Sequence, residues 1–536
     1  MNDNTDELKQ LRDEYDTDYE AGQDNINPMG LDLHNVVFAA SAVLILVFVL
    51  WSLIAPSNAN SALLGVRTFF ETNFDWAFSS AGNIFVLFCL VLIFLPVGKI
   101  RLGGEGAKPD FSRISWFSML FAAGMGIGLM FWAVAEPVGY FTEWFGTPLG
   151  IEGGTDEARR AAIGATMYHW GLHPWAIYGV VALSLAFFSY NKGLPLTIRS
   201  TFYPLLGDRV WGRTGDVIDT LAVLATLFGL ATSLGLGAQQ AAGGLHFLNE
   251  NIPNALSTQI AVIVGVTFVA LISVMRGLDG GVKVLSNINM VTAGLLMLFV
   301  ILAGGLIAFV VQLFQTTGAY AQYIFPLSNP VGRETDETFY HGWTIFYWAW
   351  WISWSPFVGM FIARVSKGRT VREFLTAVLI IPTVVTIFWM SAFGGNGLTQ
   401  AAEGIGVLGT DGITNADLSL FHMLENLPLT SITVFLAICL VLVFFVTSSD
   451  SGSLVIDSIT AGGKLDAPQA QRVFWVVIEG LIAAVLLFGG GDDGLGALQA
   501  ASIATGLPFA IILLLMCVSL VKGLTHERKL LALAAK

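Results

Sequence analysis

The sequence has few charged residues for its length. Only 12% of its 536 residues are Asp, Glu, Lys or Arg, whereas soluble domains have about 25%. Hydrophobic residues make up 55% of the chain, and its mean hydropathy is +0.70. This composition excludes an ordinary soluble domain and predicts an all-α protein that crosses a membrane several times.

Cysteine is also scarce, and several motifs are absent. The three cysteines, Cys89, Cys439 and Cys517, lie in apolar runs, so we expect reduced structural side chains without a disulfide or a metal centre. The amino terminus lacks the basic start and short apolar region of a signal peptide. No glycine loop for a nucleotide is present, so any uphill transport must use an ion gradient. We expect no bound cofactor and no nucleic-acid partner.

Acidic residues are concentrated at the amino terminus. Much of the net charge of −13 lies in residues 1–34, where ten carboxylates face only Lys9 and Arg12. Polar, acidic segments of this kind bury too little apolar surface to fold alone. We therefore expect a disordered tail over residues 1–34.

Twelve apolar runs are long enough to cross a bilayer. If both ends of the chain lie on one side, that side holds all but four of the basic residues, the exceptions being Arg67, Arg159, Arg160 and Arg333. The positive-inside rule therefore predicts twelve spans with both termini in the cytoplasm. The runs lie near 36–55, 78–97, 113–135, 165–189, 216–240, 259–275, 288–313, 343–363, 374–394, 430–449, 472–489 and 499–521.

The most unusual stretch covers residues 343–372, and its first half holds five tryptophans. On a helix, Tyr347, Trp351 and Trp354 share one face. Aromatic rings attract a cation that cannot be hydrogen-bonded, such as a quaternary ammonium group. The alternative is membrane anchoring, but anchoring tryptophans lie at helix ends, and these occupy more than three turns. We favour a cation-binding face.

The third run contains Gly124, Gly126 and Gly128 at alternate positions. Each glycine weakens a helix by about 1 kcal/mol relative to alanine. An unwound helix is tolerated in a membrane only beside a cavity or in the protein interior. Helix-packing motifs, the alternative, space their small residues by four rather than two. We expect unwound backbone that offers carbonyl oxygens to a cation and lets a ligand approach closely.

The fourth run carries Trp170, Trp175 and Tyr178, which are candidates for a second aromatic wall. His169 and His173 lie four residues apart, a spacing that also occurs in zinc sites. No third ligand and no catalytic glutamate accompany them, so we expect two hydrogen-bonded structural histidines. A membrane-embedded metalloenzyme that uses this pair is the alternative.

The tenth run ends in a cluster of hydroxyl groups with one carboxylate. Alkali cations prefer oxygen ligands, and transport ion sites combine hydroxyls with carbonyls of unwound helices. A polar helix end at the membrane surface would explain Asp450 and Ser453, but it explains the deeper Thr447 and Ser448 less well.

Other polar residues also interrupt the apolar runs. Glu136 and Glu479 are functional candidates because carboxylates are costly in a membrane, although Glu136 precedes a proline and has helix capping as its alternative. The fifth run holds Thr226, Thr232 and Ser233, and Thr232 would by default bond to its own helix.

Three segments resemble the betaine–choline–carnitine transporter family: FYWAWWISWSPFVGMF at 346–361, GMGIGLMF at 124–131 and HPWAIY at 173–178. The resemblance extends from about residue 36 to 522. It implies a bacterial inner (plasma) membrane transporter, not an enzyme, that is typically a homotrimer. It also implies the twelve-helix amino-acid/sodium-symporter fold, in which two peripheral helices precede two inverted five-helix repeats. The segments would be 1–34 (acidic tail), 35–97 (peripheral helices), 98–313 and 314–522 (repeats) and 523–536 (short cytoplasmic tail).

The resemblance implies a set of site residues as well. The family holds its quaternary ammonium substrate in an aromatic box between the third, fourth and eighth helices, with Phe346 and Trp348 along the path. A second sodium ion would bind Thr226 and the ring of Phe357, but Leu230 replaces the family's second threonine. The box would comprise Trp170, Trp175, Tyr178, Trp350, Trp351, Trp354 and Met125. The first sodium ion would bind carbonyls of Ala122, Met125 and Phe444 and hydroxyls of Thr447 and Ser448.

Two positions bear on substrate and coupling ion. Choline-preferring members carry aspartate at the position of Gly128, so we expect a zwitterion, with glycine betaine first and osmoprotection as its use. Carnitine exchangers that work without sodium carry an arginine in the fifth helix. No arginine lies between Arg213 and Arg276, so we expect sodium-coupled symport by alternating access. Dimethylsulfoniopropionate, carnitine and choline are the alternative substrates, and the short basic tail disfavours an osmosensor without flux.

Overall fold

The computed structural model describes residues 10–11, 13–124, 126–276 and 283–534. These residues are mostly helical, and ten of the described helical segments are long and apolar enough to cross a membrane. A helix satisfies its own backbone N–H and C=O groups, which hydrocarbon cannot do. The chain is therefore a multi-pass membrane protein, as its composition predicts.

Helices account for nearly all of the architecture, and a single antiparallel ribbon precedes them among the described residues. The ribbon pairs β1 (Asn25–Ile26) with β2 (Leu33–His34). The long helices are α1 (Asn35–Ile54), α2 (Pro56–Phe94), α3 (Arg113–Gly124), α4 (Ile127–Phe141), α5 (Asp156–Trp170), α6 (Leu172–Lys192), α7 (Arg213–Leu248), α8 (Leu256–Arg276), α9 (Lys283–Ala303), α10 (Leu306–Leu327), α11 (Phe346–Val365), α12 (Val371–Glu403), α13 (Thr430–Thr460), α14 (Gln469–Gly490) and α15 (Gly494–Ala534). Short helices lie at Tyr203–Leu206, Glu337–Phe339, Gly406–Thr410 and Ser419–Glu425.

Three of the predicted runs are each divided between two helices. The third run is broken between α3 and α4, and the fourth is broken at Gly171 between α5 and α6. The seventh, predicted over 288–313, ends with α9, and α10 begins after Gly304 and Gly305. Gly305 has a φ of 99°, a conformation that side chains with a Cβ rarely adopt. The chain therefore turns where continuous hydropathy predicts one span.

The helices differ in how far the rest of the protein covers them. In the most apolar stretches of α5–α6 and α7, 94% and 89% of the residues are buried, against 33% in α1 and 28% in α8. Helix α11 packs against α6, α7 and α15. It is not among the ten apolar segments, because its tryptophans, tyrosine and serines lower its hydropathy. Helices α5, α6, α7 and α11 thus form an interior that α1 and α8 border.

Residues 13–34 pack on the end of the bundle at which α15 ends. The buried ring of Tyr15 lies 4.8 Å from His526 in α15, and Tyr19 stacks on Trp211 at 4.2 Å. These contacts correct the expectation of disorder for this part of the acidic tail. Its aromatic side chains bury apolar surface against the helices, which a count of charges does not take into account.

An ion pair and a continuous helix complete this end of the molecule. Asp32 pairs with Lys464, which lies between α13 and α14, at 2.6 Å. At the other terminus α15 continues as a helix to Ala534. Most of the expected carboxy-terminal tail, 523–536, is therefore an extension of the last helix.

Candidate binding site

The tryptophan-rich segment forms α11, which follows a π-helical turn at Tyr340–Ile345. Its aromatic side chains are buried, apart from the half-buried Phe361. The rings of Trp350 and Trp351 stack 4.7 Å apart with 13° between their planes, and Phe346 stacks on Trp350 at 5.4 Å. One side of α11 therefore presents a continuous aromatic surface.

An opposing wall comes from α5 and α6. Trp170, the last residue of α5, meets Trp351 edge to face at 4.8 Å and Trp350 at 6.2 Å. On α6, Tyr178 lies 6.3 Å from Trp351, and Trp175 lies 5.6 Å from Tyr178. Perpendicular pairs set the positive edge of one ring against the negative face of another, a contact worth about 0.5–1.5 kcal/mol. The two walls therefore hold each other in place.

Trp354 adds a further ring, 6.5 Å from Trp350 and 5.5 Å from Phe357. Its indole N–H is buried and has no hydrogen-bond partner among the described residues. The structure thus brings together every predicted box residue that it describes, whereas Met125 lies outside the described residues. The resulting aromatic cluster comprises Trp170, Trp175, Tyr178, Phe346, Trp350, Trp351 and Trp354.

The glycine segment is unwound beside this cluster. Helix α3 ends at Gly124, α4 begins at Ile127, and Gly126 between them is extended, with φ −152° and ψ −156°. Gly128 faces two rings of the cluster. A methyl carbon built on it would lie 2.7 Å from Cη2 of Trp170 and 2.8 Å from Cη2 of Trp350. Two tryptophans can therefore converge here only because residue 128 has no side chain.

Behind the cluster lies a fully buried carboxylate, Glu136 of α4. Its Oε2 accepts hydrogen bonds from Trp170 Nε1 at 2.6 Å and from the Tyr347 hydroxyl at 2.7 Å. Its Oε1 lies 2.9 Å from the Tyr140 hydroxyl and 2.8 Å from His169 Nδ1. Four side chains from three helices therefore converge on one carboxylate. Helix capping, the alternative that the sequence offered for Glu136, does not describe this arrangement.

The two histidines of the fourth run have separate hydrogen-bond partners. The ring of His169 lies between Glu136 and Thr344, whose hydroxyl is 3.0 Å from Nε2. His173 Nε2 is 3.1 Å from Asn83 Oδ1, and its ring stacks on Trp348 at 5.0 Å. Trp348, predicted along the substrate path, therefore lies against His173 rather than in the cluster. Among the described residues, no group of three His, Cys, Asp or Glu side chains could hold a metal ion.

The hydroxyl-rich part of α13 lies within a continuous helix. Thr447 donates to the carbonyls of Val443 and Phe444 in its own helix, at 3.0 and 3.2 Å. Because α13 continues to Thr460, Asp450 is buried inside the protein, where it accepts a 2.6 Å hydrogen bond from Ser273, and is not at a polar helix end.

Phe444 links this region to the helix break. It shares a narrow cavity with Gly126, the unwound residue, while Ala122 lies in the last turns of α3. No hydrogen bond or ring contact joins Ser448 to these residues in the described structure. The cavity is lined by Gly126, Leu129, Met130, Met290, Ala293, Trp389 and Phe444.

The residues of the expected second sodium site have other contacts in the protein. Thr226 hydrogen-bonds within its own helix, and Leu230 and Phe357 pack against neighbouring residues. Thr226 donates to the carbonyl of Ala222 at 2.7 Å, the default for a hydroxyl in a membrane helix. Leu230 fills the space over Gly452 of α13, where a methyl carbon on the glycine would fall 2.3 Å from Leu230 Cδ1. Phe357 contacts Trp354. Packing against Gly452 therefore accounts for leucine at position 230.

A profile of the betaine/carnitine/choline family of transporters matches residues 36–529. The chain belongs to this family. The family's members are transporters, not enzymes, which sets aside a metalloenzyme built on His169 and His173.

Several relatives with named functions align with this chain over nearly the full length of both proteins. Glycine betaine transporter 1 of Vibrio parahaemolyticus is 61% identical over 517 residues, which is 96% of this chain and 98% of that protein. A glycine betaine/proline/choline/ectoine transporter of the same organism is 60% identical over 95% of this chain and 91% of its own length. The glycine betaine transporter OpuD of Bacillus subtilis is 45% identical over 91% and 94%.

The role of Glu136 as a shared acceptor is the main feature that the sequence does not reveal. Its donors lie 4, 33, 34 and 211 residues away along the chain. Only the Tyr140 partner, one helical turn away, follows from spacing. The cost of a carboxylate in a membrane span is the signal that marks Glu136 as a candidate.

Proposed function

We propose that this family member takes up glycine betaine, a zwitterionic onium compound, by sodium-coupled alternating access. The aromatic cluster carries the proposal. Its seven aromatic residues come from α5, α6 and α11, and two of them, Trp170 and Trp350, converge at Gly128. Such rings attract a quaternary ammonium group, which has no N–H to donate. The named substrate of several relatives is the same compound.

Contact energies are consistent with reversible binding. Each contact between a desolvated cation and an aromatic ring contributes about 0.5–2 kcal/mol. Three or four contacts supply about 2–8 kcal/mol, so once an association cost of at least about 4 kcal/mol is subtracted they alone give affinity no tighter than about millimolar. That range suits a transporter, because the substrate must be released inside the cell.

Gly128 favours a substrate that brings its own negative charge. Choline carries a net positive charge, and the choline-preferring members that this chain resembles place an aspartate here. In this protein any side chain at residue 128 would displace Trp170 and Trp350. A zwitterion needs no such carboxylate, since its own carboxylate balances the ammonium group.

For the coupling ion, we place sodium between the unwound segment and α13. Its ligands would be the carbonyls of Ala122, Met125 and Phe444 and the hydroxyls of Thr447 and Ser448. Gly126 and Phe444 line one cavity, so the unwound segment and α13 are neighbours there. One sodium ion entering down 100 mV supplies about 2.3 kcal/mol, roughly 50-fold accumulation. The second site, Thr226 with Phe357, lacks an oxygen at Leu230, so we propose a single sodium ion per cycle.

The proposed architecture has α1 and α2 as peripheral helices before two inverted repeats, 98–313 and 314–522, with twelve spans in all. The pairs α3–α4 and α5–α6 would then be the third and fourth spans, each broken in its middle. Both termini would be cytoplasmic in the bacterial inner membrane, consistent with the contact of Tyr15 with His526 at one end of the bundle. The functional unit would be a homotrimer.

A broader substrate range is the second candidate. One relative is named for proline, choline and ectoine as well as glycine betaine. A transporter with this range would accept smaller or differently charged ligands in the same aromatic cluster.

A binding panel tests both candidates. Equilibrium binding of glycine betaine, choline, carnitine, ectoine, proline and dimethylsulfoniopropionate to the purified protein is measured with and without sodium. We expect glycine betaine to bind most tightly and only with sodium present. Equal binding of choline would favour the broader range, and sodium-independent binding would contradict the coupling ion.

A further inference from the structure

Glu136 is placed so that it contacts both walls of the aromatic cluster. Through Oε2 it holds Trp170 of the α5 wall and Tyr347 of α11. Tyr347 in turn lies 5.8 Å from Trp351 and 6.1 Å from Trp350. Trp170 is fixed at both ends of its indole, because its Nε1 is bound by Glu136 and its Cη2 lies over Gly128. A shift of this carboxylate would therefore move rings on both walls.

The hydrogen bonds match an ionised carboxylate. An ionised carboxylate offers about four acceptor positions and no donor, and four side chains fill them here, two at each oxygen. An indole N–H can only donate. His169 fits this set in its neutral form, in which Nδ1–H donates to Glu136 and Nε2 accepts from the Thr344 hydroxyl. Among the described residues, His169 is the only basic side chain within ion-pair distance of Glu136.

We propose that Glu136 is a positioning residue that also sets specificity for a positively charged head group. Its charge lies at the N–H edge of the Trp170 ring, in an interior where electrostatic interactions are weakly screened. A trimethylammonium group against the face of that ring is attracted by the ring and by the charge at its edge. A tert-butyl group of the same shape makes the same van der Waals contacts and gains neither attraction. This inference rests on glycine betaine being a ligand, as proposed above.

The test compares glycine betaine with tert-butylacetate, which replaces the ammonium nitrogen by carbon and keeps the carboxylate. Dissociation constants for both are measured on purified full-length wild type and Glu136→Gln, by competition with radiolabelled glycine betaine. We expect the preference for betaine to fall about tenfold in Glu136→Gln, as expected for loss of a charge one indole away. The affinity for tert-butylacetate should stay within about threefold of wild type.

Two further variants separate charge from structure. Glu136→Asp keeps the charge but shifts the carboxylate, so both ligands should bind more weakly while the preference between them stays within about threefold. Glu71→Gln is the matched control, because Glu71 is also a buried helical glutamate but pairs with Arg67 in α2. It should leave the preference unchanged. The emission of the clustered tryptophans should also shift in Glu136→Gln and not in Glu71→Gln, because the indole of Trp170 loses its charged partner.

Each outcome decides the matter. An equal loss of both ligands in Glu136→Gln would show a structural role only and overturn the proposal. If Glu136→Gln does not fold, Glu136→Asp and Tyr347→Phe carry the test, since both retain the charge. A tenfold change in the preference for betaine over tert-butylacetate in either of these two variants would contradict the proposed role of the charge. Failure of wild type to bind glycine betaine would instead refute the proposed function.

Discussion

The aromatic cluster and the hydroxyl-rich part of α13 are both candidates for ligand binding, but they are built in different ways. In the cluster, rings from three helices touch, and the indole N–H groups of Trp350 and Trp351 have partners in Ser233 and the carbonyl of His169. In α13, the Thr447 hydroxyl is used within its own helix. The cluster is assembled by contacts between rings of different helices, whereas the proposed oxygen ligand Thr447 is bonded to the Phe444 carbonyl of its own helix.

The difference has a physical cause. Aromatic rings attract one another, so a site lined with them can be formed by folding alone. Oxygen ligands on different helices carry partial negative charge, so they repel one another until a cation draws them together. We therefore expect the substrate walls to exist before binding and the sodium site to form as the ion enters.

The largest effect should come from a methyl group inside the cluster. Gly128→Ala sets a carbon within 2.8 Å of two tryptophans, and such overpacking costs about 1–3 kcal/mol. We expect glycine betaine binding to weaken about 10- to 100-fold, measured by equilibrium binding. Gly126→Ala is the matched control, because its methyl carbon meets only Trp354 Cη2, at 3.8 Å. An equal loss in both variants would mean that loop flexibility, rather than ring convergence, matters.

A smaller effect should follow loss of one oxygen on α13. Thr447→Val keeps the shape and removes the hydroxyl, so the sodium concentration for half-maximal uptake should rise about tenfold while betaine affinity at saturating sodium is kept. Uptake of radiolabelled betaine at varied sodium measures both. The control is Thr433→Val, since Thr433 bonds to its own backbone in the same helix. Unchanged sodium dependence would remove Thr447 from the ion site.

Stoichiometry sharpens the comparison further. With leucine at 230, we expect one positive charge per betaine in wild type, recorded as current divided by tracer uptake. Leu230→Thr adds the missing oxygen at the cost of a cavity over Gly452, and should raise the ratio towards two. A ratio of two in wild type would show that a second sodium binds without this residue.

The smallest effect concerns the packed amino-terminal segment. Burial raises the pKa of Asp32, but hydrogen bonds from Lys464 and Asn25 outweigh it and hold the pKa below its ordinary value. The ion pair therefore stabilises the segment above the ordinary pKa of about 3.9, and this contribution is lost as the pH falls through the lowered value.

Asp32→Asn should loosen the segment at neutral pH by about 0.5–1 kcal/mol, or roughly two- to fivefold in the rate of limited proteolysis within residues 13–34. The exposed Asp18 provides the control, as Asp18→Asn. The difference between the Asp32→Asn variant and wild type should disappear in strong acid, and its persistence there would contradict the role of the pair.

Features that depend on one helix could be predicted from the sequence, whereas features that depend on contacts between distant helices could not. The aromatic walls follow from spacing on single helices and from family resemblance, and the alternate glycines predict the break near Gly126. The break at Gly305 lies inside a run whose hydropathy does not change, so hydropathy cannot locate it. The shared role of Glu136 depends on contacts between helices distant in the chain. The packing of Tyr15 depends on apolar surface that only the folded helices provide.

Binding of glycine betaine to Trp351→Leu tests the central claim most directly. Trp351 contacts Trp170, Tyr178 and Trp350, so its loss opens both walls. We predict no detectable binding by a variant that stays folded, while Trp475→Leu, a buried tryptophan of α14 outside the cluster, binds as wild type does. Betaine binding by Trp351→Leu at wild-type affinity would contradict the account.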